Sequence, residues 1–262
     1  MDTYATPTPV EATIDIEAGT VRVVGSDRDT TTVDVRPTDP ARAADVEAAA
    51  ATTVRCADGV LRVSTSRQPF RLLWRPGTVD VSVEVPSGSR LRVSNTAGDV
   101  LVHGDLGPCD LRTRAGNVEV DRAGDAVLRT TAGNVTIGTC SGVARLEARQ
   151  GTIRAGRLVG RAEATSSSGD IVVDTAEGGL RARSSFGEIR VGSALGGEAD
   201  VSTSHGNVRV GIPEGTVAHV DARATVGGVR NELTPSAARP EGEKVLELSA
   251  STGFGTVTIA RG

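Results

Sequence analysis

RAGNVEV at residues 114–120 returns as TAGNVTI at residues 131–137, with the glycine 17 residues further on. The phrase is a glycine, usually a polar residue, then Val or Ile. It recurs as AGDV at Gly98, QGTI at Gly151, SGDI at Gly169, FGEI at Gly187, HGNV at Gly206, VGGV at Gly227 and FGTV at Gly255. From Gly98 to Gly206 the steps are 18, 17, 18, 18, 18 and 19 residues. A second glycine series, Gly107, Gly124, Gly142, Gly160, Gly178 and Gly196, falls between them. A fixed period of this length marks a repeat architecture in which each repeat is one supersecondary unit. Here the unit holds two short strands with a turn at each end.

Alignment on the phrase glycine produces columns. Two residues after it stand Val100, Val118, Val135, Ile153, Ile171, Ile189, Val208, Val229 and Val257. Five before it stand Val93, Leu111, Leu128, Leu146, Ala164, Ala182 and Val201, and three before it Asn95, Thr113, Thr130, Ala148, Ser166, Ser184 and Thr203. Apolar residues alternate with period two on each side of the glycine, which is the pattern of half-buried strands. The parity changes across it, so the glycine is a corner, and the Asp or Asn after it suits a turn that the side chain bonds itself. Stacked about 4.8 Å apart, equivalent residues would build Val/Ile ladders inside a solenoid. The predicted fold is all-β, a parallel β-solenoid of coils of about 18 residues. Right-handed winding is the default for parallel crossovers, and a meander of repeated hairpins is the competing topology.

Bulk composition agrees with a thin core of many small layers. Aromatics are only 2% of the 262 residues, whereas Gly numbers 32, so Val, Ala, Ile and Leu must do most of the packing. A net charge of -4 and mixed charges at 24% speak against disorder and against specific nucleic-acid binding. No apolar run approaches the length of a membrane span, and MDTYATPTPV lacks the basic and apolar regions of a secretory signal. Cys56, Cys109 and Cys140 form no CxxC pair and are odd in number. These features give the expectation of a cytoplasmic protein in a reducing compartment.

Residues 1–89 do not display the repeat in sequence, so the expected division is a β-rich cap region, 1–89, and a strand-repeat solenoid, 90–262. Val10, Ala12, Ile14 and Ile16 alternate, Gly19 turns, and Val21 and Val23 continue. TDPARAADVEAAAATTVRC predicts one helix, with Asp39 as N-cap, Pro40 at the first helical position, and Ala43, Val46, Ala50 and Val54 on one face. Tyr4, Phe70 and Trp74 put most of the aromatic mass in this region, which is expected to cap the repeat. Residues 231–244, NELTPSAARPEGEK, read as a loop between the last two layers.

The run VSVEVPSGSRLRVSNTAGDVLVHG, followed by the Gly-Asp/Asn-Val phrases, resembles the bacterial putative-adhesin family of β-strand-repeat domains of unknown function. The resemblance covers roughly residues 10–262 and implies a β-helical repeat with an adhesive or interaction role. It carries no catalytic residues with it.

The chemistry-bearing residues point the same way. HExxH, a Cys/His cluster and GxxxxGK[ST] are all missing from the sequence, so no catalytic, metal or cofactor residues are assigned. His205 occupies a column that elsewhere includes Ala, Ser and Phe, which makes it a corner filler. Asp170 and Glu188 would be neighbours on adjacent layers, the arrangement a carbohydrate-active β-helix enzyme needs, although corner chemistry alone favours acidic residues there. Arg190, Arg209 and Arg230 stand three residues after the corner, on what the sequence order makes consecutive layers. Such a stripe is either solvated and partly paired or a binding site for an anionic partner. The last strand, TVTIARG, is expected to leave an uncapped edge through which copies could join as a homo-oligomer. The expected function is therefore a non-enzymatic interaction or scaffold protein meeting an unknown protein or polyanionic partner. A self-assembling cytoskeletal-type scaffold and a carbohydrate-active enzyme are the alternatives.

Overall fold

The computed structural model describes residues 1–65, 77–233 and 245–262. Phe70, Trp74 and most of the expected 231–244 loop lie outside the described residues. Among the described residues there are twenty-three strands and one helix, an all-β repeat fold. The chain forms two compact units, Met1–Thr131 and Ala132–Gly262.

In the second unit the strands from Val135–Cys140 to Gly197–His205 pair in parallel two apart along the chain. Ile153–Leu158 lies between Val135–Cys140 and Ile171–Ala176, and Ala162–Ser168 lies between Ala144–Gln150 and Leu180–Phe186. The register sets column on column, so Val135, Ile153, Ile171, Ile189 and Val208 form one ladder. All five are fully buried. Each such side chain contributes roughly 1.5–3 kcal/mol by leaving water, and the repeat supplies that gain in equal small instalments.

The corner explains why the phrase is written so regularly. At Gly187 φ is 151°, in the region that L side chains avoid, and a Cβ there would overlap the carbonyl oxygen of Gly169 in the layer before. The two polar positions that flank the glycine each bond to a neighbouring layer. Thr113 Oγ1 donates to the Gly98 carbonyl at 3.1 Å, Ser184 Oγ to Gly169 at 3.0 Å and Thr203 Oγ1 to Gly187 at 3.0 Å. In the other direction Asp99 Oδ1 accepts the Asn117 N–H at 2.8 Å, and Asn134 Oδ1 accepts the Thr152 N–H at 2.9 Å. The residue after the glycine was expected to bond its own turn; it bonds the next layer instead. A straight stack puts the next backbone amide nearer to that carboxylate or amide oxygen than its own.

The first unit holds a repeat layer that begins earlier than Gly98. Glu11–Ala18 and Val21–Ser26, with AGTV at its corner, pair in parallel with Arg90–Ala97 and Val100–Leu106. On their other side the same two strands pair in parallel with Val60–Thr65 and Val79–Pro86. The layer that comes first in sequence is thus second in space. Asp80 Oδ1 accepts the Thr20 N–H at 3.3 Å, doing from outside what the corner Asp or Asn does elsewhere. Strictly parallel winding does not hold in this unit. Asp2–Ala5 and Thr30–Pro37, Thr30–Pro37 and Val79–Pro86, and Thr52–Ala57 and Val60–Thr65 all pair antiparallel.

The helix spans Ala43–Ala50 with Arg42 at the N-cap position, not Asp39. Asp39 instead accepts the Ala41 N–H at 2.9 Å and closes the turn before the helix. The expected face of Ala43, Val46 and Ala50 is turned outward. The buried position is Asp45, whose carboxylate accepts the Thr78 N–H at 3.0 Å, the Thr78 hydroxyl at 2.8 Å and the Asp39 N–H at 3.2 Å. Burial pushes the Asp45 carboxyl up, but these hydrogen bonds and the Arg42 charge outweigh it and hold it below its ordinary value. No helix among the described residues is long and apolar enough to cross a membrane.

Gly187→Ala is expected to lower the unfolding free energy by about 3 kcal/mol, from backbone strain and the overlap with Gly169. Gly228→Ala, which meets nothing within 4 Å, should stay within about 0.5 kcal/mol of the parent in the same denaturant titration.

Candidate functional site

The column just before the corner glycine points outward, and small residues fill most of it. In the last layers it changes character. Phe186, His205 and Phe254 lie directly opposite one another on adjacent strands, Phe186 against His205 and His205 against Phe254. Their rings stack with centroids 4.8 Å apart and interplanar angles of 16° and 12°. Val226 follows opposite Phe254 and continues the line. Phe186 is 57% exposed, Phe254 53% and Val226 53%. His205 is therefore the middle ring of a surface stack, a larger role than filling a corner. The signal was present in sequence as Phe186 and His205 at one column position on successive layers. Phe254 was hidden, because two strands change places.

That exchange is the main departure from the expected order. Val245–Arg261 pairs in parallel with Gly197–His205 and Val208–Ile212 on one side and with Val217–Asn231 on the other. The strand later in sequence lies inside, and the earlier one, Val217–Asn231, lies at the edge. TVTIARG was expected at the open edge; it is an interior strand, since its Val257 and Ile259 are fully buried.

The exchange also breaks the arginine stripe. Arg190 lies opposite Arg209, but Arg209 lies opposite Thr258, and Thr258 separates it from Arg230. Arg190 and Arg209 share the Glu188 carboxylate at 3.2 and 3.6 Å. The expected trio is a pair with a shared counter-charge and one separate arginine.

Asp170 and Glu188 are neighbours, as expected from the repeat, but their chemistry is spoken for. Asp170 Oδ1 accepts the Glu188 N–H at 2.8 Å, the same corner bond that Asn207 makes to the Thr256 N–H at 2.9 Å. Glu188 turns to the two arginines. A third feature is a hollow of about 450 Å³ lined by Glu198, Asp200, His219, Asp221 and Glu247 at the edge strand. Among the described residues, no group of three His, Cys, Asp or Glu side chains is placed to hold a metal ion.

These features define a glycine-cornered strand-repeat protein that carries its distinctive side chains on its surface. The chain belongs to the Toastrack DUF4097 family, whose model matches residues 11–260. Its structure is similar to that of a putative adhesin from Bacteroides fragilis, at 14% identity, with 98% of this chain and 95% of the other covered and a TM-score of 0.47. It is also similar to a putative adhesin from Parabacteroides merdae (11% identity, 98% and 94% covered, TM-score 0.45). A putative lipid binding protein from Parabacteroides distasonis aligns at 14% identity over 98% of this chain and 95% of the other, with a TM-score of 0.45. No match to a curated protein is found.

If Asp170 is a corner acceptor, Asp170→Asn keeps an oxygen for the Glu188 N–H and should leave stability nearly unchanged. Asp170→Ala should cost about 1–2 kcal/mol by leaving that amide without its acceptor. Chemical denaturation of the two variants checks this.

Proposed function

We infer that this protein is a non-enzymatic, adhesin-like interaction scaffold, its repeat wound as a parallel β-solenoid that holds a binding ridge rigid. The observation that carries this reading is the Phe186–His205–Phe254 stack. The chain has only three phenylalanines, and two of them stand on this ridge, more than half exposed. Large apolar side chains gathered on a surface mark interaction sites. These rings are already ordered by stacking, so a partner loses little in fixing them. The faces of the rings largely cover one another and their edges point out, which suits an apolar slot on a protein partner better than a flat ring lying on a platform.

The arginine pair supports a polyanionic partner less well. Glu188 already offsets the charge of Arg190 and Arg209, and Arg230 stands apart from them. Corner bonding of Asp170 likewise leaves the enzymatic alternative with little support.

Beads coated with the protein should be retained under flow on an immobilised glycoprotein layer. Phe186→Ser/Phe254→Ser should lose at least about tenfold of that retention with little change in melting temperature, since exposed substitutions away from the core are near-neutral for stability. Equal retention by the variant would overturn the ridge reading. Retention on heparin that disappears in Arg190→Glu/Arg209→Glu would favour the arginine pair instead.

A further inference from the structure

We propose that the edge strand Val217–Asn231 is the docking site for a second copy of this chain, pairing antiparallel with its own counterpart about a twofold axis at Ala222. The strand has fifteen residues, and among the described residues its one ladder is to Val245–Arg261. Among the described residues no strand pairs with its far edge, and an edge of that kind is a template for strand addition.

The core is also unfinished at this strand. The position two after the corner is fully buried in Val135, Ile153, Ile171, Ile189, Val208 and Val257, but Val229 in the same position is 44% exposed. Val220, Ala222 and Ala224 occupy columns where Leu248, Ala250 and Thr252 of the adjacent strand are 1–3% exposed, yet they are only half-buried. A further strand with small apolar inward residues would cover Val220, Ala222 and Ala224.

Charge selects a second copy as that strand. Asp221 and Arg223 flank Ala222 on the outward face and form an exposed pair at 2.8 Å within the strand. With Ala222 on the twofold axis, Asp221 lies opposite Arg223 of the second copy and Arg223 opposite its Asp221. The same register sets Val220 against Ala224 and Ala222 against Ala222 on the inward face. Charges of opposite sign meet outside while apolar side chains meet inside, and the sheet continues with its core on one side. Because both copies use the same edge, the pairing closes at two.

The test is the molar mass of the full chain by light scattering and sedimentation across a wide concentration range, for the parent and three variants. The parent is expected to form dimers. Asp221→Arg and Arg223→Asp each set like charges opposite one another twice per dimer and should raise the dimer dissociation constant roughly tenfold. The double swap Asp221→Arg/Arg223→Asp restores opposite charges across the axis and should restore dimerisation. All three changes fall on exposed positions, and unchanged melting curves confirm that folding is intact. A monomer at every concentration overturns the proposal, as does a dimer indifferent to the single changes or a double swap that fails to recover. Slow amide exchange along Val217–Asn231 in a monomer would mean that another stretch of the same chain fills the edge, which also overturns it.

Discussion

A hydrogen bond that crosses from one layer to the next at a glycine corner is the constraint on which the rest of the structure depends. The chain must turn there in a backbone conformation that only glycine takes easily, and the layer before leaves no room for a Cβ. Turning sharply would strand backbone amides and carbonyls at the bend. The polar residues on either side remove that cost, one hydroxyl reaching back to a glycine carbonyl and one acceptor oxygen reaching forward to an amide. Once this bond is made, the register of both flanking strands follows, because a slip by one residue would turn every Val and Ile of the ladder outward.

Much of this could be read from the residues alone. The corner, the buried columns and the all-β repeat all follow from the spacing of Gly98 through Gly206 and the alternation beside it. Periodicity reports local geometry well because each layer solves the same packing problem. It reports spatial order poorly. AGTV at Gly19 uses the same phrase as Gly98 but stands 79 residues earlier, and the intervening segment conceals that the two corners are neighbours. Likewise Gly255 and Gly227 both carry the phrase, and nothing local to either says which lies inside. The misplaced arginine stripe and the unseen third ring of the stack both come from that exchange. The helix is where the sequence places it, but its buried face differs for another reason: its alanines give a weak face, and the hydrogen bonds from Thr78 to Asp45 decide which side is buried.

The low aromatic content has a structural meaning in this light. Val, Ile, Leu and Ala fill the interior of the described layers, where side chains of adjoining strands must pack against one another at close density. Rings are easily accommodated only where the column points out, and there they stack at the layer spacing itself, 4.8 Å. A geometry that excludes aromatics from the core thus becomes, at the corner, a device for ordering them. The same surface freedom lets Glu188 serve two arginines at once without disturbing the ladder beneath.

The exchanged strands also turn folding into a contest. Val217–Asn231 is synthesised before Val245–Arg261, and it carries a version of the same phrase, so both match the slot beside the Gly206 layer. Hydrophobicity and one hydroxyl decide the winner. Leu246, Leu248 and Ile259 enter where the rival strand would offer Ala218, Val220 and Asn231, and Thr252 donates to the Gly206 carbonyl at 2.8 Å where Ala224 has nothing to donate. The strand that comes later in sequence holds the inner slot, and the earlier one lies outside it. Sequence differences between two strands that share the corner phrase therefore act as an address, telling each strand how far from the centre it must stop.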